Sequence, residues 1–407
     1  MQTDPADTAV PLTQQLSAAT QLHQHGRLED AKLAYRKVLA ESPGHPETLR
    51  LLGLLKYQTG NLEAAIDLLT QAIESGSDDG RAMEALGCVL GESGKQDEAI
   101  RCLQQVTSAH PRQTSAFFNL GMMMSRDPAR LEEAMVALQR AVDLDPGSDR
   151  AHSALARVLL CRGQAEQALI HLEKVLARKP GDVHSLAHKT AALSQLGNTA
   201  GVAALADPER MLHFDFFKGD AGFSDAAKLN ARLAAHILGH ATLGTERTTE
   251  NGMDTGEIFG SEEPAIQALS GFIEGSVGRM MEALDLPPGH PFPASQPKRC
   301  YLSGWGVRMW RGGFQIPHYH KEAWISGVYY LQLPQIIADP DASQQGWIEF
   351  GRGPDDIYLD SLSETRRVQP EEGKLIAFPS YLWHRTLPFE DEQDRLCISF
   401  NVVPADN

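Results

Sequence analysis

Cysteine is scarce in this chain: 407 residues hold five, Cys88, Cys102, Cys161, Cys300 and Cys397, without a single Cys-x-x-Cys pair. That scatter excludes a disulfide framework and a thiolate zinc site, and it points to a reducing cytoplasm. Long apolar runs are missing as well. Nothing approaches the roughly 18 consecutive apolar residues of a membrane span. The opening MQTDPADTAVPLTQQLSAAT has no basic segment leading into an apolar one, so it does not read as a secretory leader. Basic residues are outnumbered, 37 Lys+Arg against 53 Asp+Glu, for a net charge of −16. A chain of that sign is a poor general binder of nucleic acid, whose phosphates need a cationic surface. It still leaves room for a local basic pocket that holds one small anion.

What is present is ordinary globular material, 42% hydrophobic and 22% charged, which excludes wholesale disorder. The length predicts two or three domains. The first half is repetitive. GRLEDAKLAY, GNLEAAIDLL and GKQDEAIRCL align without gaps, with Gly26, Gly60 and Gly94 each 34 residues apart. ARLEEAMVAL and GQAEQALIHL continue the series, and one Ala position recurs as Ala31, Ala65, Ala99, Ala134 and Ala168. Pro43, Pro111, Pro146 and Pro180 close most units. The pattern predicts two antiparallel helices per unit, with small residues such as Gly53, Gly87, Gly121 and Ala156 where the helices approach. Glycine suits the turn between them, and proline cannot continue a helix. The fourth unit carries a one-residue insertion at SRDPAR. This period resembles the tetratricopeptide repeat (TPR) across residues 12–180, with a degenerate sixth unit around Gly197 that runs to Ala206. A solenoid of this kind exposes a concave groove. The resemblance implies a protein or peptide partner in that groove, or a role in assembly.

From Asp207 the period is lost. Apolar spacing predicts helices over 224–240 and 262–284, while the Thr- and Gly-rich loop between them takes no assignment. Beyond Pro297 short alternating runs begin: KRCYLSGWGVRMW, FQIPHYH, WISGVYYLQL, GWIEFG, DIYL, GKLIAF, LWHRTL and RLCISFNVV. Eight short strands in about 110 residues predict a jelly roll, a cupin-like double-stranded β-helix. The organisation expected is therefore multidomain. An all-α solenoid occupies 1–206 and a β-domain 207–407, the latter with a helical flank (207–297) and a barrel core (298–407).

Three histidines fall where such a barrel can gather them. His318 and His320 stand two apart in IPHYHKEAW, so in a strand both side chains share a face. His384 follows in FPSYLWHRTLP on another strand. His384 and Arg395 are equidistant from the polar turn FEDEQD, which predicts a hairpin with the two as direct cross-strand neighbours. Ser399 shares the parity of Arg395. A lone strand histidine is usually core; three in register beside an arginine point to a metal site.

His-x-His, then SGVYYL, then G-x-L-x-x-FPS-x-x-x-H-x-x-x-P, then R-x-x-x-S-x-N resembles the 2-oxoglutarate/Fe(II) oxygenase family with a His-x-His motif, over residues 298–404. It is more distantly similar to prolyl hydroxylases and, in its repeat-plus-oxygenase layout, to aspartyl/asparaginyl β-hydroxylases. The resemblance implies Fe(II) held by His318 and His384. His320 takes the middle position, with Glu322 the alternative, because His320-Lys321-Glu322 is also a His-x-Glu. It implies that Arg395 grips the far carboxylate of 2-oxoglutarate, with Ser399, Tyr330 (preferred to Tyr329) and Asn401 as further contacts. Trp324 and Trp383 flank the motif, where core packing is their commoner role. The implied activity is O2-dependent hydroxylation with release of succinate, on a protein or peptide side chain delivered by the repeats. A small-molecule oxygenase whose repeats serve assembly, and a scaffold with a non-catalytic barrel, are the competing readings.

Overall fold

The 34-residue period becomes paired helices. The computed structural model describes residues 11–76, 80–240, 244, 248–339, 343–358 and 365–405. In order these helices are α1 (Leu12–Gln24), α2 (Leu28–Glu41), α3 (Pro46–Gln58), α4 (Leu62–Glu74), α5 (Arg81–Glu92), α6 (Gln96–Ala109), α7 (Thr114–Met124), α8 (Leu131–Leu144), α9 (Asp149–Cys161), α10 (Ala165–Arg178), α11 (Val183–Gln195) and α12 (Thr199–Ala206). The turn glycines do what the pattern required: Gly26, Gly60 and Gly94 have φ of +73°, +76° and +82°, a region other residues avoid. The fourth unit lacks that glycine. There Asp127 accepts a hydrogen bond from the Ala129 N–H, and a short 3-10 turn, Pro128–Arg130, takes up the inserted residue.

Contact density divides the chain into two compact units, Met1–Val158 and Leu159–Asn407. In the first, α3 touches α5 and α5 touches α7, so the leading helices of successive repeats lie side by side. The recurring alanines Ala31, Ala65, Ala99 and Ala134 are all fully buried. A Cβ on Gly87 would come within 2.9 Å of the Leu103 side chain, so only glycine permits that approach. Among the described residues no helix is long and apolar enough to cross a membrane.

The division falls inside α9 and not at 206/207, where the sequence changes character. Helices α10–α12 thus belong to the same compact unit as the sheet. Hydrogen bonds account for it: Tyr381 donates to the Leu205 carbonyl at 2.7 Å, and Gln195 Nε2 to the Ile357 carbonyl at 2.7 Å.

That second unit continues with α13 (Pro208–Met211), β1 (His213–Phe216), α14 (Ala226–Leu238), β2 (Thr249–Asp254), α15 (Pro264–Ala283) and α16 (Pro291–Ala294). The two expected flanking helices are α14 and α15. Strands β3 (Cys300–His318), β4 (Ile325–Gln332), β5 (Ile348–Phe350), β6 (Arg366–Val368), β7 (Lys374–Pro379), β8 (His384–Thr386) and β9 (Arg395–Pro404) follow. They form a curled antiparallel sheet in the order β1-β7-β4-β9-β3-β8-β5-β6, with β2 paired to β3. The chain is a helical repeat array in its N-terminal half and a curled antiparallel sheet in its C-terminal region.

Several strand expectations change. The first two predicted strands are one, β3, whose interior Gly312 takes a φ of +74° and lets a long strand bend from one set of partners to another. Cys300–Met309 pairs with β9, whereas Gln315 and His318 pair with β8. The predicted β8–β9 hairpin does not form. His384 faces Phe350 and His318, and Arg395 faces Met309. The bent β3 lies between β8 and β9, so equal distance from a turn did not mean pairing. Asp356, Ile357 and Tyr358 of DIYL lie in a turn, and Leu359 is outside the described residues. β1, β2 and β6 were not anticipated; β2 comes from the loop that took no assignment.

Candidate active site

The triad assembles where two strands meet. His318 ends β3 and His384 begins β8, and the two are Cα partners. His320 lies just past the end of β3, held by its N–H donating to the Ser380 carbonyl at 3.1 Å. Potential ligand atoms of His318, His320 and His384 all lie within 4.8 Å of one another. Ring centroids are 4.3 Å apart for His318–His384, 5.2 Å for His318–His320 and 5.3 Å for His320–His384.

Hydrogen bonds set two tautomers. His318 Nδ1 donates to the Ile316 carbonyl at 2.7 Å, and His384 Nδ1 donates to the Leu382 carbonyl at 2.9 Å. A carbonyl only accepts, so each Nδ1 carries the proton and each Nε2 is left with a lone pair, the state a metal ligand needs. Electrostatics act the same way. Burial pushes the His320 imidazole down to about 3, helped by His318. Burial likewise holds His384 well below the usual range, assisted by His318 and His320, and lowers His318 against its bond to Ile316. Three neutral imidazoles converge.

Glu322 is not among them. β3 ends at His318, residues 321 and 322 form a turn, and Glu322 is exposed. The shared-face argument for a His-x-Glu pair required the strand to continue, and it does not.

Arg395 lines the same cavity as the triad, one of about 200 Å³ that is also walled by Val328, Ile348, Phe378 and Ser399. Arg395 is 2% exposed, yet among the described residues its Nη1 reaches sulfur, Cys397 Sγ at 3.4 Å and Met309 Sδ at 3.7 Å. It lies over the Tyr330 ring, 5.2 Å from the centroid. Among the described residues, Arg395 Nε and the Tyr330 hydroxyl are buried without a hydrogen-bond partner. A buried cation with no acid beside it is costly unless an anion completes it. The donor set fits a bidentate carboxylate, as three imidazoles with open positions fit a divalent iron.

The other predicted contacts divide. Ser399 lines the cavity. Tyr330 does not line the cavity, though its ring lies under the Arg395 guanidinium, whereas the Tyr329 hydroxyl donates to Asn230 Oδ1 at 2.9 Å, toward α14. Burial raises the Tyr330 phenol far above its ordinary range, so it remains a neutral donor. Asn401 is engaged elsewhere: its Oδ1 accepts from Ser326 Oγ at 2.8 Å, which ties β9 to β4. Trp324 is core, stacked on Phe292, with Nε1 donating to the Phe292 carbonyl at 3.2 Å.

Among the cavity residues that escaped the sequence reading are Thr248, Trp305, Gln315, Tyr319 and Thr386. Thr386 was recoverable from parity, two beyond His384, and Gln315 is its Cα partner. Trp305, which stacks on His320 at 5.8 Å, is opposite Ser399 in the β3–β9 pair. Tyr319 was hidden because alternation would turn it away from its histidine neighbours.

Comparison with known proteins places these observations. Residues 303–401 match the family model described as "Putative 2OG-Fe(II) oxygenase", and residues 22–87 and 127–193 match a tetratricopeptide repeat model. Cellulose synthase operon protein C of Pseudomonas fluorescens is 26% identical over 180 residues, 42% of this chain and 11% of that protein. The TPR repeat-containing thioredoxin TTL4 of Arabidopsis thaliana is 30% identical over 129 residues, 31% of this chain and 19% of that protein. The chain thus spans a tenth to a fifth of the length of these curated relatives. Among solved structures, pilF of Pseudomonas aeruginosa is similar at 18% identity and a TM-score of 0.42, covering 47% of this chain and 87% of that one. YrrB, described as a TPR protein with an unusual peptide-binding site, is similar at 23% identity and a TM-score of 0.36, covering 42% of this chain and 88% of that one. The chain thus carries tetratricopeptide repeats and, over residues 303–401, a region that matches the 2OG-Fe(II) oxygenase family model.

Proposed function

We propose that this protein hydroxylates a side chain of a protein or peptide that its repeats recruit, using Fe(II), 2-oxoglutarate and O2. One observation carries the reading: three neutral imidazoles and an unneutralised buried guanidinium open into a single cavity. His318, His320 and His384 would hold the iron. When bound, iron and 2-oxoglutarate supply O2 activation coupled to decarboxylation, which yields succinate. The chain's own residues do the rest. The Ile316 and Leu382 carbonyls keep Nε2 of His318 and His384 free for the metal. Arg395 orients and neutralises the far carboxylate, with the Tyr330 and Ser399 hydroxyls as added donors. Val328, Ile348 and Phe378 lower the local dielectric, which strengthens that pairing.

The substrate class rests on the repeats: a repeat array is a natural means of holding a polypeptide, one side chain of which would reach the iron. Five dispersed cysteines without a Cys-x-x-Cys pair suit a reducing cytoplasm as the place of reaction.

The test is succinate release and O2 uptake by the purified full-length protein with Fe(II) and 2-oxoglutarate. Polypeptides captured from cells are then searched for a 16 Da mass gain that an His384→Ala variant does not produce. Absence of both succinate and the iron–2-oxoglutarate absorption band sinks the oxygenase reading. Turnover without a modified polypeptide sinks the substrate assignment alone.

A further inference from the structure

Helix α11, the leading helix of the sixth repeat, grips both chain segments that present the triad. The Tyr319 hydroxyl shares a hydrogen bond with Nδ1 of His184 on α11. The Tyr319 ring meets Trp383 edge-on, centroids 4.6 Å apart, and Trp383 Nε1 donates to the Ala187 carbonyl of α11 at 2.9 Å. His188, buried one turn after His184, packs 5.8 Å from the Tyr319 ring and 5.9 Å from Trp383. Its Nδ1 donates to the His184 carbonyl at 2.8 Å. Tyr319 is the residue between His318 and His320, and Trp383 directly precedes His384.

This grip matters because of where β3 stops. His318 is the last ladder residue, so the Tyr319–His320 segment has lost the strand's regular pairing. Position there depends on other restraints, and ligand geometry is sensitive to the groups that orient it. We propose that His184 is a positioning residue: through the Tyr319 hydroxyl it holds His318 and His320 in the arrangement that receives the metal. The repeat helix is then a working part of the metal site as well as part of a recruiting array. This rests on the reading of the triad as a metal site.

Metal-stripped full-length protein is titrated with Co(II), whose visible bands report coordination without turnover. His184→Ala and Tyr319→Phe are each expected to weaken Co(II) binding about tenfold to a hundredfold. The double variant is expected to be no weaker than the worse single one, because both act through one hydrogen bond. Unfolding midpoints in the absence of metal should stay close to that of the parent protein. Gln195→Ala serves as the control. It removes different α11 contacts, the hydrogen bonds to the Leu160 and Ile357 carbonyls at 2.9 and 2.7 Å, and should leave Co(II) affinity unchanged. Unchanged affinity in both single variants, additive losses, or an equal loss in Gln195→Ala overturns the positioning role. If the parent protein itself binds no Co(II), the metal-site reading falls together with this inference; parent binding with unaffected variants sinks the inference alone.

Discussion

His318 and His384 are Cα partners across the β3–β8 pair, 66 residues apart in the chain and 4.3 Å apart between ring centroids. Directly opposed residues on adjacent strands are forced toward one point, so this pair forms the rigid side of the triad and His320, beyond the strand, the adaptable side. Alanine at His318 or His384 is expected to weaken Fe(II) binding by more than about a hundredfold, beyond the cost of losing a supporting contact. Glu322→Ala, at an exposed turn, should bind as the parent does. Anaerobic Fe(II) titration checks both, and loss of binding in Glu322→Ala would restore the carboxylate as a ligand.

Arg395 should trade stability for binding. Among the described residues its buried cation faces sulfur and a ring, so Arg395→Met is expected to raise metal-free stability by about 1 kcal/mol or more, as a neutral side chain removes an uncompensated charge. The same change should weaken 2-oxoglutarate binding roughly a hundredfold, from about 3 kcal/mol of charge-assisted hydrogen bonding. Arg395→Lys should recover little, since an ammonium cannot present the planar fork. Denaturant unfolding and anaerobic 2-oxoglutarate titration read the two halves; a destabilised variant with unchanged affinity contradicts the assignment.

Acid should destabilise the metal-free protein. Burial lowers the imidazole pKa of His213, against the pull of Asp215, and of His290, against carbonyls at Leu205 and Ala204, as it does for the triad. The unfolded chain takes these protons near pH 6.5 while the folded chain does not. Stability therefore stays flat above about pH 6.5 and falls as pH drops below it, toward the lowered folded values. Denaturant midpoints at about pH 7.5, 6 and 5 should decline in that order, and saturating metal should blunt the decline by occupying the triad. A midpoint that rises on acidification contradicts the burial argument.

Glu349 offers an asymmetric test of a buried charge. It is opposite Arg367 in one neighbouring strand and Arg385 in the other, and its carboxylate accepts from them at 2.6 and 2.7 Å. Glu349 is 3% exposed, whereas the arginine side chains are 41% and 37% exposed. Removing the carboxylate leaves two guanidinium groups that water can reach, so Glu349→Ala should cost about 2 kcal/mol. Removing both arginines strands a buried carboxylate and should cost about 3 kcal/mol or more. Equal losses in the two variants would show that burial does not set the balance.

The chain alone determined the helical repeats, because their cause is local. A glycine at most turns, a small residue at each close approach and a proline after most pairs act within one 34-residue unit. It also determined which residue types converge: His318, the later histidine and the arginine sit in strands whose alternation is a local property, while His320 lies just past the end of its strand. Tertiary structure decided the rest. The bend at Gly312 sent one strand to two sets of partners, which separated β8 from β9 and put His384 opposite His318 instead of Arg395. The end of β3 at His318 turned Glu322 out to solvent. Neither event is encoded within a few residues of its outcome; each depends on which distant strands compete for the same backbone hydrogen bonds. The contact between α11 and the triad is of the same kind, since nothing near His184 in the chain announces Tyr319, 135 residues later.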